Sequence, residues 1–310
     1  MRRSHFLTAL VTGFLLAAAG AVALGAVPTA KQLFGHVATP SSGSTRSVGS
    51  YAKGCLAGAV ALPITGPHWQ VMRLSRNRNW GNPELVSYIE RFSQDAAAVG
   101  WPGLLVGDMS QPRGGPMITG HASHQIGLDA DFWFVRMPDH TLSRDERETM
   151  SAPSLLISGK LALDPARWSD ADARLLRQAV SYPEVSRIFV SAAIKRKLCD
   201  TAGTDRAWLR KIRPWWGHDD HFHVRLDCPP GMASCQAQEP VGPGDGCGPE
   251  LDAWFKPPPP PPKVPPKPKP ELTLADLPAP CRTVLTDPAA PSAPVEASAS
   301  ASASVPPKAN

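Results

Sequence analysis

Gly120-His121-Ala122-Ser123-His124-Gln125-Ile126-Gly127-Leu128-Asp129-Ala130-Asp131-Phe132-Trp133-Phe134-Val135 is answered far downstream by His218-Asp219-Asp220-His221-Phe222-His223-Val224-Arg225-Leu226. Five of the chain's nine histidines lie in these two windows, among residues that read as strand edges and polar loops. Histidine concentrated in this way points to a metal. In the second window successive strand side chains point to opposite faces. His221, His223 and Arg225 therefore share one face, the site face, while Phe222, Val224 and Leu226 share the core face. In the first window His124 sits in a Gly-flanked turn, and Asp131 follows seven residues later on an aromatic and β-branched run, Asp131 to Val135, that favours strand. A turn followed by a strand can swing His124 and Asp131 toward one point.

His124, Asp131 and His223 offer two imidazoles and a hard oxygen, a set that suits zinc. Three protein ligands leave the fourth tetrahedral position to water, which is the catalytic arrangement. Zinc in that setting lowers the pKa of its water to about 7 and polarises a carbonyl. His221, on the order of 6.5 Å along the strand from His223, is too far to join a compact shell and is read as the general base beside that water. His218, at the loop end, is read as a hydrogen-bond partner of a tetrahedral oxyanion. His121 reads as a further metal ligand, as a residue behind the ligands, or as a loop histidine without a chemical role. The bland alternative for the whole set is an ordinary strand with surface histidines. Asp108, Asp129, Asp219 and Asp220 read most simply as strand-end or solvated loop acids, with support of a ligand histidine as the alternative. No G-x-S-x-G elbow, P-loop or dinucleotide fingerprint offers a competing chemistry.

His124-x6-Asp131 with His221-x-His223 resembles the LAS group of zinc peptidases. The fuller strings Gly120 to Gln125 and His218-x-x-His221-x-His223 resemble the penicillin-insensitive murein endopeptidase family. The likeness runs from about Gly54 to Pro257, through Gly107-Asp108-Met109, Gly203-Thr204-Asp205-Arg206, Val224 to Pro229 and Gly244 to Gly248. An HxH pair alone is weak; the whole set in this order is specific. The resemblance implies an α+β, LAS/hedgehog-like fold: a small antiparallel sheet carries the zinc site with helices around it, stabilised by disulfides and followed by a Pro-rich C-terminal extension. It also implies zinc-dependent hydrolysis of the D-alanyl-meso-diaminopimelyl amide in peptidoglycan crosslinks, with His221 and His218 in the roles given above. Such chemistry needs no serine nucleophile, so β-lactams would have nothing to acylate. The auxiliary Asp-x-x-His of some relatives is missing from the comparable Leu156 to Leu161, so this motif supplies no second zinc site. Two other readings fit the same residues: a D,D-carboxypeptidase trimming stem peptides, and a noncatalytic wall-binding module.

The rest of the chain sets the context. Arg2 and Arg3 precede an apolar run from Phe6 to Ala26 with small residues at its end, read as a secretory signal peptide cleaved near Ala23 or Ala26, with an uncleaved anchor as the alternative. Cleavage implies a periplasmic protein with no stable membrane anchor, and takes the formal net charge from +5 to 5 − 2 = +3. That mild excess suits an anionic wall polymer, and without an arginine-rich patch or aromatic RNA motif it excludes nucleic acid as partner. Cys55, Cys199, Cys228, Cys235, Cys247 and Cys281 form an even set in an exported chain, hence three disulfides among fifteen connectivities. Cys228 and Cys235 bracket Pro229-Pro230-Gly231 and can close a local loop; the resemblance implies Cys199 to Cys247 and Cys55 to Cys281.

Residues 27–53, rich in Ser, Gly and Thr, read as a flexible leader, 54–256 as the catalytic domain, and 257–310 as a spacer and low-complexity tail. Asn82-Pro83 starts a packing helix, Leu104 to Gly107 is a strand, and Ser169-x-x-Asp172 is a capping box. Ile188 to Val190 is a strand, followed by a helix over Ala193 to Leu198 whose Lys195-Arg196-Lys197 run reads as a solvated face. Trp208 to Ile212 is a short helix, and Trp215-Trp216 reads equally as cleft lining or core. The prolines from Pro257 form a polyproline II spacer.

Overall fold

The computed structural model describes residues 27–257, 262 and 265–290; the signal-peptide reading of residues 1–26 and the tail beyond 290 lie outside them. Helix α1 (Ala30–Gly35) is started by a Thr29/Gln32 capping box. The hairpin of β1 (Arg46–Ser50) and β2 (Lys53–Ala57) follows. Then come β3 (Val60–Ala61), β4 (Thr65–Gly66), β5 (Trp69–Val71) and β6 (Trp80–Gly81), with β3 and β6 paired. Helix α2 (Pro83–Ala98) starts where Asn82-Pro83 predicts, Asn82 Oδ1 accepting from the Glu84 amide at 3.1 Å. Strands β7 (Leu104–Val106) and β8 (Asp129–Trp133) enclose the loop that carries the first histidine window. After α3 (Arg144–Thr149) and α4 (Asp170–Val180) come β9 (Val185–Val190), α5 (Ala192–Thr201), β10 (Ile212–Pro214) and β11 (His221–Leu226). Trp208 to Ile212, read as a short helix, fall in a 3-10 helix over Ala207–Lys211 and the first residue of β10. Short helices α6 (Pro249–Asp252) and α7 (Pro280–Thr286) complete the described chain.

Seven strands make the central sheet, in the order β10-β9-β11-β8-β7-β5-β4. Around the histidines it is antiparallel, as expected. It is not antiparallel throughout: β9 runs parallel to β10 and β5 parallel to β7. In both cases a helix, α5 or α2, lies on the connection and returns the chain in its original direction, which a hairpin cannot do. The architecture is thus mixed α/β with a small sheet.

Alternation sorts the two central strands by face. Ala130 and Phe132 of β8 and Phe222, Val224 and Leu226 of β11 are buried against Leu85, Ile89 and Phe92 of α2 and Leu175 and Leu176 of α4. Phe132 stacks on Phe222 at 5.3 Å between centroids, and Phe92 meets Phe132 edge-on at 5.3 Å. The opposite face carries the polar residues and no helix of this size.

Three sequence expectations are corrected here. Residues 27–53 are folded: Ala30, Phe34 and Val48 are buried in a second small core with Leu277, Cys281 and Val284. The Ser/Gly/Thr content of this stretch masks the few apolar residues that anchor it. By the same packing the chain after the spacer is no loose tail, because Leu277, Cys281 and Val284 are three of that core's eight buried residues and Cys281 is bonded to Cys55. Cys199–Cys247 and Cys228–Cys235 are the other disulfides, so the two pairings implied by the resemblance stand beside the local loop closure read from the spacing. Lys195 is also not solvated. It is fully buried, its Nζ donating to the carbonyls of Leu209 at 2.7 Å and Asp245 at 2.6 Å, beside the Cys199–Cys247 bond.

Two outcomes follow from this packing. Replacing both Cys55 and Cys281 by Ala lowers the unfolding free energy by about 2–5 kcal/mol, since the bond closes most of the chain into one loop; urea titration with the other disulfides intact measures it. Burial pushes the Lys195 amine down to about 7. Between that value and an ordinary lysine pKa the unfolded chain holds the extra proton, so this group's contribution to stability rises with pH across the window and its cost is fully present below it. Lys195→Met removes that slope, read as the difference between wild type and variant in urea midpoints at neutral and alkaline pH.

Candidate metal centre

Register builds the centre. β8 and β11 pair so that His223 lies opposite Asp131, Arg225 opposite Asp129 and His221 opposite Trp133. All of these point away from the core, so the alternation of both strands aims two carboxylates, two imidazoles and a guanidinium at one patch. The loop before β8 adds His121 and His124. His124 takes a left-handed backbone, φ 65°, uncommon for a residue with a Cβ. Its amide donates to Asp129 Oδ2 at 3.0 Å, which holds the turn closed. Gly127 makes the return possible: at φ 71° a Cβ there would stand 2.5 Å from Leu56 Cδ2.

Asp131 is the hub, with its side chain almost wholly buried. Its Oδ2 is 3.3 Å from His121 Nε2, 3.5 Å from His124 Nε2 and 3.9 Å from His221 Nε2, and its Oδ1 is 3.1 Å from His223 Nδ1. His121, His124 and Asp131 form a group whose donor atoms all lie within 4.8 Å of one another. His223 stands outside that trio and reaches Asp131 through its other oxygen. Among the described residues, buried His124 Nε2, Asp131 Oδ1, His221 Nε2 and His223 Nε2 have no hydrogen-bond partner. Bond lengths of about 2.1 Å place tetrahedral ligand atoms about 3.4 Å apart. The separations around Asp131 match that edge, and two imidazoles or more with one carboxylate are donors a divalent ion of zinc's kind takes.

The surrounding charges act as supports, and here the sequence reading is corrected. Asp129, read as a solvated acid, is fully buried and bidentate to Arg225, with Nε to Oδ1 at 2.8 Å and Nη2 to Oδ2 at 3.0 Å. Burial alone would raise its carboxyl; Arg225 and then His223 overcome this and hold it well below the usual carboxylate range. Asp108, read as a strand-end acid, is buried too. It accepts from Arg78 at 2.7 Å and Arg76 at 3.0 Å, and its Oδ2 lies 3.2 Å from His121 Nε2. Despite burial, His121 and Arg78 bring Asp108 down to about 2. Asp220 touches His221 Nδ1, and Asp219 accepts from the Ser154 hydroxyl, so neither is merely solvated. Strict alternation in Asp129-Ala130-Asp131-Phe132 was the available signal for Asp129, since it makes the two acids neighbours on one face.

The remaining ionisable residues fall into two classes. Burial, with His223 and His221 nearby, pushes His218 down to about 4, and its Nδ1 sits 2.7 Å from the Trp216 carbonyl. Burial lowers His221 as well, but Asp131 and Asp220 outweigh it and raise this ring to about 9. Trp215 and Trp216 are 55% and 68% exposed and so are not core; Trp215 lines a cleft with His121, His218 and His223, and Trp216 the groove beside it.

Comparison with known proteins agrees with this geometry. The family described as penicillin-insensitive murein endopeptidase matches residues 47–286. Relatives bearing that name include one from Haemophilus influenzae, 47% identical over 79% of this chain and 84% of its own length. One from Klebsiella pneumoniae is 42% identical over 88% and 95%, and one from Escherichia coli is 41% identical over 87% and 94%.

Arg225→Met leaves Asp129 buried without its cation. It is expected to cost about 3–5 kcal/mol and to loosen the His124 turn. Urea unfolding and metal content of the purified protein check this, and adding Asp129→Leu should restore stability but not metal retention.

Proposed function

The chain belongs to the penicillin-insensitive murein endopeptidase family, and we propose that it hydrolyses the D-alanyl-meso-diaminopimelyl amide of peptidoglycan crosslinks with a zinc ion held by His124, Asp131 and His223. It is a peptidase. The observation that carries the reading is the convergence of His121, His124, His221 and His223 on the one buried carboxylate of Asp131. His121, shared between Asp131 and Asp108, is an additional ligand candidate. A zinc ion bound here supplies Lewis acidity and brings the pKa of a water to about 7.

His221 is the general base. Contact of Nδ1 with Asp220 fixes the tautomer, so the Nε2 lone pair faces the site and takes the proton of the attacking water. A cation on Asp131 would offset the part of the upward push on His221 that comes from that carboxylate, and so favour the neutral ring a base requires. His218 is the oxyanion partner. Its Nδ1 is engaged by the Trp216 carbonyl, which leaves Nε2 as the ring atom that would meet the oxyanion.

An endopeptidase needs room on both sides of the cut bond. Two clefts of about 310 Å³ each meet at His121, one lined by Arg76, Asp108 and Trp133, the other by Phe189, Trp215 and His218. Space on both sides of His121 favours an internal crosslink over the blind end a carboxypeptidase would use. We further read the fold as LAS-like and the enzyme as periplasmic, where its polymer lies. No helix among the described residues is long and apolar enough to cross a membrane.

His124→Ala and His223→Ala are expected to lose zinc, whereas His221→Ala keeps it and drops kcat by about 10²–10⁴-fold. Metal analysis beside turnover decides, and equal zinc loss in all three would sink the base assignment. Purified crosslinked muropeptide dimers should fall to monomers; release of terminal alanine with dimers intact would instead favour carboxypeptidase action.

A further inference from the structure

We infer that an aromatic shelf beside the metal cleft, built by Trp216, Trp254 and Phe255, seats the glycan strand of peptidoglycan while the crosslink lies in the cleft; this rests on the function proposed above. Trp216 is 68% and Phe255 40% exposed. Trp216 and Trp254 have ring centroids 4.8 Å apart. Trp254 forms the ridge between two grooves, one of about 820 Å³ toward Ser154 and Arg167, the other of about 930 Å³ toward Lys256 and Pro257. Trp254 is half-buried against Ala192 and Leu251 and so is held in place, and Arg196 lies over the Phe255 ring at 5.0 Å; exposed aromatic surface gathered beside a fixed indole marks a binding surface.

The shelf is continuous with the cleft. Ser191 and Asp219 line the groove of about 820 Å³, and the Ser191 amide donates to the His218 carbonyl at 2.5 Å. Trp216 precedes His218 by two residues, so their Cα atoms are at most about 7 Å apart.

The chemistry of the polymer selects the occupant. Crosslinked stem peptides are made of alanine, glutamate and diaminopimelate, none with a large apolar side chain that could use an indole. Pyranose rings present flat C–H faces that stack on aromatic rings, with hydroxyls at the edge for polar neighbours. Ser154, Ser158 and Asp164 line the groove beside the rings. Diaminopimelate is the third residue of a stem, so its backbone lies at most about 10 Å from its sugar, and its side chain, which carries the cut bond, extends that reach toward the shelf. Carboxylates along the stem would pass Lys160 on the same groove wall.

The test uses the full, metal-loaded chain. Trp254→Ala should weaken binding to purified sacculi about fivefold to tenfold, the loss expected for one stacking face. It should lower kcat/KM by a similar factor on dimers that carry disaccharides, leave kcat/KM unchanged on the same dimers stripped of sugar, and be rescued by Trp254→Phe. In the wild type, chitotetraose should quench tryptophan fluorescence and compete with sacculi, a measurement that stands even if the alanine variant fails to fold. Equal loss on both dimers, unchanged sacculus binding, absence of quenching and competition, or a shift from dimer to monomer in sedimentation that marks a second copy as occupant would each overturn the inference. If the wild type cleaves neither dimer yet still binds chitotetraose, the function reading alone fails.

Discussion

Two carboxylates two residues apart on one strand face have both been stripped of water, and only one of them has a permanent counterion. Asp129 is held by Arg225, whose guanidinium cannot be neutralised in a protein. Asp131 has only imidazoles around it. Removing a carboxylate from water costs several kcal/mol, and neutral rings offset this only in part. A divalent cation would correct the imbalance, and the β8/β11 register is what creates the imbalance: a slip of one residue would send Asp131 and His223 into the core and Phe132 and Phe222 into the cleft. The stacked Phe132–Phe222 pair beneath α2 therefore protects the metal centre from the opposite side of the sheet.

The same alternation explains what could be read without a structure. His221-Phe222-His223-Val224-Arg225-Leu226 declares its faces because the period of a strand is two, and the structure follows it residue by residue. Which residue of another strand lies opposite is a tertiary fact that periodicity does not carry. Arg225 was visible on the site face, but its partner was not, because the strand was read as starting at Asp131 when it starts at Asp129. Asp108 needed still more. Its surroundings come from Arg76, Arg78 and His121, which no local pattern joins.

Composition misled where a few residues outweigh many. Over residues 27–53 small polar types dominate, yet Phe34 and Val48 carry the packing, and the Cys55–Cys281 bond ties the distant partner segment to them. The bond and the core support each other: eight buried residues make a small cluster, which the covalent closure of a long loop helps to keep assembled. Lys195 is the converse case. It sat in a charge run, but Leu198 and Cys199, three and four residues on, share its helical face and are buried. Helical spacing was a better guide there than charge.

Covering one sheet face with α2 and α4 leaves the other to loops, and that asymmetry gives the molecule its working surface. A helix across the site face would have closed the ends of the cleft and restricted it to small substrates. Loops leave two clefts meeting at His121 and a wider groove beyond His218. The loops are nonetheless pinned. The Gln125 side chain accepts from the Gly54 amide and donates to the Ala52 carbonyl, tying the histidine loop to the β1/β2 hairpin, and Lys195 and the Cys199–Cys247 bond secure the segment near Asp245. Openness at the ends with rigidity at the centre suits a bond embedded in a network, where the substrate extends past the site in both directions and cannot be enclosed.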